Sequence, residues 1–119
     1  MKVTKLIIHH SLTKDQVVAD WPAIRRYHIK VKEFDDVGYH YGVETVNGAV
    51  TVQKGRPENV PGAHTKQQGM NRKSLGICVV GNYDLAPPPD AVLDRLANLC
   101  AIKCLEYNLR PEDIVSHHK

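Results

Sequence analysis

Apolar residues along the chain fall into short runs typical of strands and into one longer helical stripe. Val3 to His9 predicts a first strand that ends in polar residues. Leu75 to Gly81 is continuously apolar and rich in β-branched residues, which favours a central buried strand. A last short strand is predicted at Ile114 to His117, after Pro111.

The strongest turn signal lies near the middle of the chain. Tyr41 to Val46 and Ala49 to Gln53 are separated by Asn47-Gly48. Asn-Gly accepts the positive φ values of a tight two-residue turn, so these two runs predict a β-hairpin. A polar, glycine-containing loop is expected from Pro57 to Met70.

Two helices are predicted from capping signals and periodicity. Asp20-Trp21-Pro22 places a capping carboxylate and an early proline before a helix that runs to near Lys30. Three prolines and Asp90 precede a longer helix over about Ala91 to Tyr107. Its predicted buried stripe consists of Leu93, Leu96, Cys100 and Cys104.

The order of elements is strand, helix, hairpin, strand, helix and strand. This order predicts an α/β fold in which helices flank a mixed central β-sheet. The 119 residues are expected to form a single domain, since such a length buries enough surface to fold without metal or disulfide cross-links.

Charge and composition exclude several classes of function. The formal net charge is +3 and basic residues are interspersed with acidic ones, so a nucleic-acid partner is not expected. Leu6 to Ile8 is too short an apolar run for a signal-peptide core or a membrane span. We therefore expect cytoplasmic synthesis without a signal peptide and no membrane insertion. The three cysteines, Cys78, Cys100 and Cys104, are interpreted as reduced packing residues.

Histidine pairs stand near both ends of the chain, as His9-His10 and His117-His118. Side chains alternate along a strand, so at most one member of each pair can face a common site. Neutral imidazoles are frequent zinc ligands, and a hydrolytic zinc needs three protein ligands plus a position for water. Taken singly, each histidine is more commonly a surface or hydrogen-bonded residue.

Five sequence blocks, read together, carry a family resemblance. They are Ile7-Ile8-His9-His10-Ser11, Ile24 to His28 leading into Asp36 to Tyr41, Gly62-Ala63-His64-Thr65, Asn71 to Ile77, and Ser116-His117-His118. In this order they resemble the N-acetylmuramoyl-L-alanine amidase family, which includes amidase-type phage lysozymes and the peptidoglycan recognition proteins. The resemblance runs from Leu6 to His118 and implies the fold of that family.

The resemblance implies a catalytic zinc. His9 and His117 match the two imidazole ligands of the family, and Tyr39 matches the tyrosine beside the metal. A phenol there could orient the attacking water or hydrogen-bond the oxyanion. Taken alone, a tyrosine before a hairpin strand is more commonly a packing residue.

The resemblance also implies the substrate. His64, Thr65 and Asn71 match the loop that lines the groove for the muramyl peptide, whereas without the family they would be ordinary polar loop residues. The implied reaction is hydrolysis of the amide between N-acetylmuramic acid and L-alanine in peptidoglycan. A monomeric endolysin of phage, prophage or bacterial origin is expected, which reaches the cell wall by a separate release route.

The sequence departs from the family after His117. The third zinc ligand, usually a cysteine several residues beyond the second histidine, has no counterpart before Lys119. Either the chain is a C-terminally truncated amidase, or it is a non-catalytic peptidoglycan-binding module with an incomplete metal site. Cys78 could complete the site from inside the chain, but its apolar surroundings favour packing. His10, His118 and the terminal carboxylate have no motif that supports ligation.

Overall fold

The computed structural model describes residues 1–11, 20–66, 69–81 and 87–116. Within these ranges the chain forms five strands and two α-helices. In chain order they are β1 (Lys5–His10), α1 (Trp21–Lys30), β2 (Tyr41–Val46), β3 (Ala49–Lys54), β4 (Ser74–Val79), α2 (Asp90–Tyr107) and β5 (Ile114–Ser116). Short 3-10 turns at Met70–Arg72 and Pro111–Asp113 precede β4 and β5, and neither was predicted.

The strands form one sheet in the order β3-β2-β4-β1-β5. β1 pairs in parallel with both β4 and β5, and β2 pairs in parallel with β4. Only the hairpin of β2 and β3 is antiparallel among these pairs, and it turns through Asn47 and Gly48 at φ values of 50° and 83°. The predicted mixed sheet and the Asn-Gly turn are confirmed.

The sheet separates two hydrophobic clusters because neighbouring strand residues point to opposite faces. On one face, Leu75, Ile77 and Val79 of β4 pack with the buried side of α2. On the other face, Cys78 and Val80 pack with Trp21, Ile24 and Val37 around α1. Each helix therefore covers one face of the same central strand.

The start of α1 is fixed by two carboxylates. Asp20 caps the helix, its Oδ1 accepting a hydrogen bond from the Ala23 amide at 2.8 Å, as predicted. The buried Glu44 of β2 accepts from the Trp21 amide at 3.0 Å. Gly42 leaves room for the indole, since a Cβ at this position would lie 2.4 Å from two ring carbons of Trp21.

The predicted stripe of α2 is partly wrong. Leu93 is 43% exposed, although Cys100 is buried and Leu96 and Cys104 pack partly against the core. The buried face is centred instead on Val92, Leu99, Cys100 and Lys103. One face of the helix carries Val92, Leu96, Leu99 and Lys103. Because Lys103 is charged, apolar periodicity alone does not predict that this face is the buried one. Neither helix of the described ranges is long and apolar enough to cross a membrane.

Lys103 is buried because other side chains satisfy its charge. It is 7% exposed and its Nζ lies 2.7 Å from Glu58 Oε2 and 3.1 Å from Glu106 Oε2. The hydroxyls of Tyr41 and Tyr107 also donate to the Glu58 carboxylate. This cluster, which we name the Glu58 cluster, joins the loop after β3 to α2.

The Glu58 cluster has a defined pH dependence. Burial alone would raise the pKa of Glu58, but hydrogen bonds from Lys103, Tyr107 and Tyr41 outweigh it and hold the pKa below its ordinary value of 4.5. A carboxyl with a lowered folded pKa stabilises the fold above its unfolded pKa. That stabilisation is lost as the pH falls below 4.5 through the folded value.

We predict that Glu58→Gln lowers the free energy of unfolding by about 1–3 kcal/mol at neutral pH, because it leaves the buried Lys103 ammonium without this carboxylate. Urea unfolding at a series of pH values measures the effect, and the difference from the wild type should shrink in acid. The matched control is Glu112→Gln, whose carboxylate is 68% exposed and lies 3.8 Å from Arg110. A difference that persists unchanged at acid pH would contradict the assignment.

Candidate active site

His9 reaches the site from the end of β1 by strand alternation. Ile8 packs against the core under α2, and His9 therefore points to the opposite face. There it is 5% exposed and stands in register with Cys78 of β4. His10 is exposed, as expected if only one member of the pair faces the site.

His64 lies against His9. Nε2 of His9 and Nδ1 of His64 are 2.9 Å apart, and the two rings meet edge to face with centroids 5.0 Å apart. His64 is 9% exposed, and its Nε2 lies 3.4 Å from the hydroxyl of the fully buried Ser74. The predicted groove residue is therefore a buried neighbour of the predicted zinc ligand.

Asn71 shapes the backbone around His64 and Thr65. Its Oδ1 accepts from the amides of His64 at 3.1 Å and Thr65 at 3.2 Å, and its Nδ2 donates to the Thr65 carbonyl at 2.9 Å. Asn71 and Thr65 are both half-buried. The structure thus brings the three predicted groove residues together, while their contact with a substrate stays a prediction.

Tyr39 stands beside His9 and above the α1 side of the sheet. Its ring centroid is 5.3 Å from that of His9, 5.5 Å from that of His28 and 6.4 Å from that of Trp21. Burial raises the pKa of Tyr39 well above its ordinary value, and the adjacent Cys78 thiol adds to the shift. The phenol therefore stays protonated at neutral pH and can act as a hydrogen-bond donor.

Cys78 is a packing residue, as interpreted from the sequence. It is fully buried in the cluster around α1, and burial raises the pKa of its thiol to about 12. Metal ligation requires the thiolate. A thiol held neutral in the core is poorly suited to that role.

Two further histidines near Tyr39 accept hydrogen bonds from backbone amides, and sequence reasoning did not assign them. The Gly38 amide donates to Nδ1 of His28 at 2.8 Å, and the Gly76 amide donates to Nδ1 of His40 at 3.0 Å. Burial is the largest cause that lowers the pKa of each ring. Both are therefore neutral near pH 7, which leaves Nδ1 able to accept.

Arg56 links the segment before Tyr39 to the segment before His64 by hydrogen bonds. Its guanidinium donates to the carbonyl oxygens of Val37 at 2.8 Å, Pro61 at 2.9 Å and Asp36 at 3.4 Å. Nothing in the local sequence distinguishes this arginine from a surface residue. Its role depends on contacts between segments that are distant along the chain.

The structure brings His9, Tyr39 and His64 together and does not describe His117. β5 is described up to Ser116, which pairs with Ile8 of β1. His117, predicted as the second zinc ligand, lies outside the described residues. Among the residues that are described, no group of three or more side chains of the kinds that bind metals comes together.

A second concave region lies on the other face of the sheet. This apolar groove of about 850 Å³ runs between α2 and the β1–β5 edge, with Ile8, Leu96, Leu105 and Ile114 among its lining residues. It contains two thiols, Cys100 and Cys104, whose pKa values are raised by burial. Its apolar lining does not suit polarisation of an amide. The candidate site is therefore the face of the sheet that carries His9, Tyr39 and His64, which we call the histidine face.

Comparisons with known proteins identify the family of this chain. Residues 1–119 match the family described as N-acetylmuramoyl-L-alanine amidase. The endolysin of Klebsiella phage KP32 is 33% identical over 121 residues, a match that covers 98% of this chain and 76% of the endolysin. The N-acetylmuramoyl-L-alanine amidase of Mus musculus is 31% identical, and the match covers 96% of this chain but only 22% of the mouse protein.

A solved structure shows the same fold. Wild-type PGRP-LB of Drosophila aligns with a TM-score of 0.76 and 27% identity, covering 98% of this chain and 69% of that one. A tyrosine-to-phenylalanine mutant of the same protein has been solved in complex with tracheal cytotoxin. Since the family match extends over residues 1–119 and is joined by similarity in sequence and fold, the chain belongs to the N-acetylmuramoyl-L-alanine amidase family of hydrolases.

Proposed function

We propose that this chain hydrolyses the amide bond between N-acetylmuramic acid and L-alanine in peptidoglycan with a zinc ion held by His9 and His117. The observation that supports this most directly is the buried contact of His9 with Tyr39 and His64 on one face of the sheet. Family membership supports the reaction class. The metal, its ligands and the roles below are part of the proposal.

The pairing of β1 with β5 supports the choice of ligands. Ile8 pairs with Ser116, and each of these residues directly precedes a proposed ligand, His9 or His117. His9 also suits a metal because its ring is buried and hydrogen-bonded, the usual condition of a ligating histidine. A bound zinc would supply a Lewis acid that polarises the carbonyl and lowers the pKa of water to about 7.

The number of protein ligands determines how tightly the proposed site should hold zinc. Hydrolytic zinc sites usually take three protein ligands, and His9 and His117 account for two. The affinity of the 119-residue chain for zinc therefore reports whether its own residues complete the site. A site with only two protein ligands should bind more weakly.

Tyr39 is proposed to stabilise the oxyanion that forms when water adds to the amide. Its phenol is protonated at neutral pH because burial raises its pKa. A neutral donor aimed at developing negative charge stabilises the transition state more than the ground state. Trp21 and His28 pack near the ring and limit its movement.

The proposed ligand is a muropeptide. The complex of PGRP-LB with tracheal cytotoxin supports a ligand of this class, because that protein shares the fold and 27% of aligned residues. We propose that His64, Thr65 and Asn71 line the groove that receives it. We further propose that the protein acts as a monomeric endolysin on the cell wall after release from the cytoplasm.

We predict that His9→Ala and His117→Ala each abolish amidase activity and reduce zinc content to a trace. Activity is measured as release of L-alanine-linked peptide from purified peptidoglycan, and zinc by metal analysis after dialysis. Circular dichroism confirms that the variants remain folded. Full activity in either variant would exclude the proposed ligand pair, and muropeptide binding without hydrolysis in the wild type would favour the non-catalytic binding module.

Tyr39→Phe is predicted to lower kcat by about 10²–10³-fold with little change in KM, because the phenol acts only on the oxyanion. Zinc content should stay at the wild-type level. Tyr27→Phe is the matched control, since Tyr27 is 39% exposed on α1 and loses a hydroxyl of the same kind. An unchanged kcat in Tyr39→Phe would remove this tyrosine from the chemical step.

A further inference from the structure

We infer that a relay of hydrogen bonds from Ser74 through His64 fixes the tautomer of His9, so that His9 would bind zinc through Nδ1. His64 is then a positioning residue that acts through His9. The inference rests on the proposed zinc site for its consequence. The direction of the hydrogen bonds can be tested without metal.

Ser74 sets the direction of the relay. Its hydroxyl has one hydrogen, which it donates to the Met70 carbonyl at 2.7 Å. Towards Nε2 of His64, at 3.4 Å, the same oxygen can therefore only accept. The hydrogen of a neutral His64 thus belongs on Nε2.

The next step follows from imidazole chemistry. A neutral ring with its hydrogen on Nε2 has its lone pair on Nδ1, so His64 Nδ1 is an acceptor. That atom lies 2.9 Å from His9 Nε2, which must supply the hydrogen. His9 accordingly carries its hydrogen on Nε2 and presents the Nδ1 lone pair, the form required for coordination through Nδ1.

Two glycines keep the His64 ring in place. A Cβ on Gly76 would lie 2.5 Å from Cγ and Cδ2 of His64, and a Cβ on Gly62 would lie 2.6 Å from Cδ2. Gly76 is also the β4 partner of Ile7, two residues before His9. The ring therefore packs closely against two backbone segments, in a position where its Nδ1 lies 2.9 Å from His9 Nε2.

Such contacts usually affect metal binding strongly. A ligating histidine that donates its other N–H to a fixed acceptor is held in one tautomer and orientation, and loss of such a partner typically costs about 10–100-fold in affinity. The acceptor here is an imidazole rather than the usual carboxylate or carbonyl. Its own orientation must be fixed, and Ser74 and the two glycines provide that.

The tautomers can be read directly by long-range ¹H–¹⁵N NMR of the metal-free chain labelled in histidine, at a pH where the rings are neutral. We expect Nε2–H on both His9 and His64. Ser74→Ala should weaken the bias at His64 while leaving the ring between its glycines. An Nδ1–H form as the main species of either ring in the wild type would overturn the relay.

Zinc titration of the 119-residue chain tests the consequence. His64→Leu removes the acceptor and should lower zinc affinity by about 10–100-fold. His64→Asn places an amide oxygen near the position of Nδ1 and should restore most of that loss. His10→Asn is the matched control, because His10 is an exposed imidazole on the opposite face of β1, and its affinity should equal that of the wild type.

The outcomes separate this inference from the proposed function. If the wild type binds zinc and a folded His64→Leu binds it equally well, the relay is wrong while the zinc site stands. If ¹⁵N shifts of the zinc-loaded wild type show coordination of His9 through Nε2, the relay is also wrong. If the wild type binds no zinc, the proposed metal site is wrong. The NMR measurement of the His9 and His64 tautomers in the metal-free chain then decides whether the relay exists. If His64→Leu does not fold, the same zinc titration is made with Ser74→Ala, which removes the first member of the relay.

Discussion

The parallel pairing of β1 with β4 is the constraint on which the site depends. Its register places Ile7 opposite Gly76 and His9 opposite Cys78. Alternation then sends the aliphatic neighbours of these residues under α2 and the imidazole of His9 towards α1. A slip of one residue would exchange the two sets, burying an imidazole in the aliphatic core and moving Leu6 to the histidine face. The same burial that stabilises the sheet therefore also fixes where His9 points.

The two faces satisfy their buried polar groups by different means. Under α2, the Lys103 ammonium is paired with the carboxylates of Glu58 and Glu106, and two tyrosine hydroxyls donate to Glu58. On the histidine face, uncharged imidazoles accept hydrogen bonds from backbone amides, as His28 does from Gly38 and His40 does from Gly76. Neutral rings avoid the desolvation cost of a buried charge and leave charge to be introduced by a ligand. The face proposed for catalysis is thus held in place without fixed ion pairs among these imidazoles.

The sequence predicted the elements whose signals are local. The hairpin followed from Asn47-Gly48 and the start of α1 from Asp20, because turn and cap geometry depend on adjacent residues. Leu93 was misplaced because the true face of α2 includes a lysine, buried by partners from distant segments. The resemblance drew attention to Tyr39 and His64, but no periodicity shows that His64 touches His9, 55 positions away. Ser74 and Arg56 were missed because their roles arise only from such long-range contacts.

The geometry of His64 also bears on how a ligand could be held. Its ring nitrogens face His9 and Ser74, and the ring lies so close to Gly62 and Gly76 that a Cβ on either would overlap it. Donation from this ring to a muropeptide would therefore compete with its contact to His9. Thr65 follows His64 directly, Asn71 hydrogen-bonds to Thr65, and both are half-buried, so they are better placed to meet a ligand. Within the proposed groove, His64 would thus support the metal ligand His9, while Thr65 and Asn71 would meet the muropeptide.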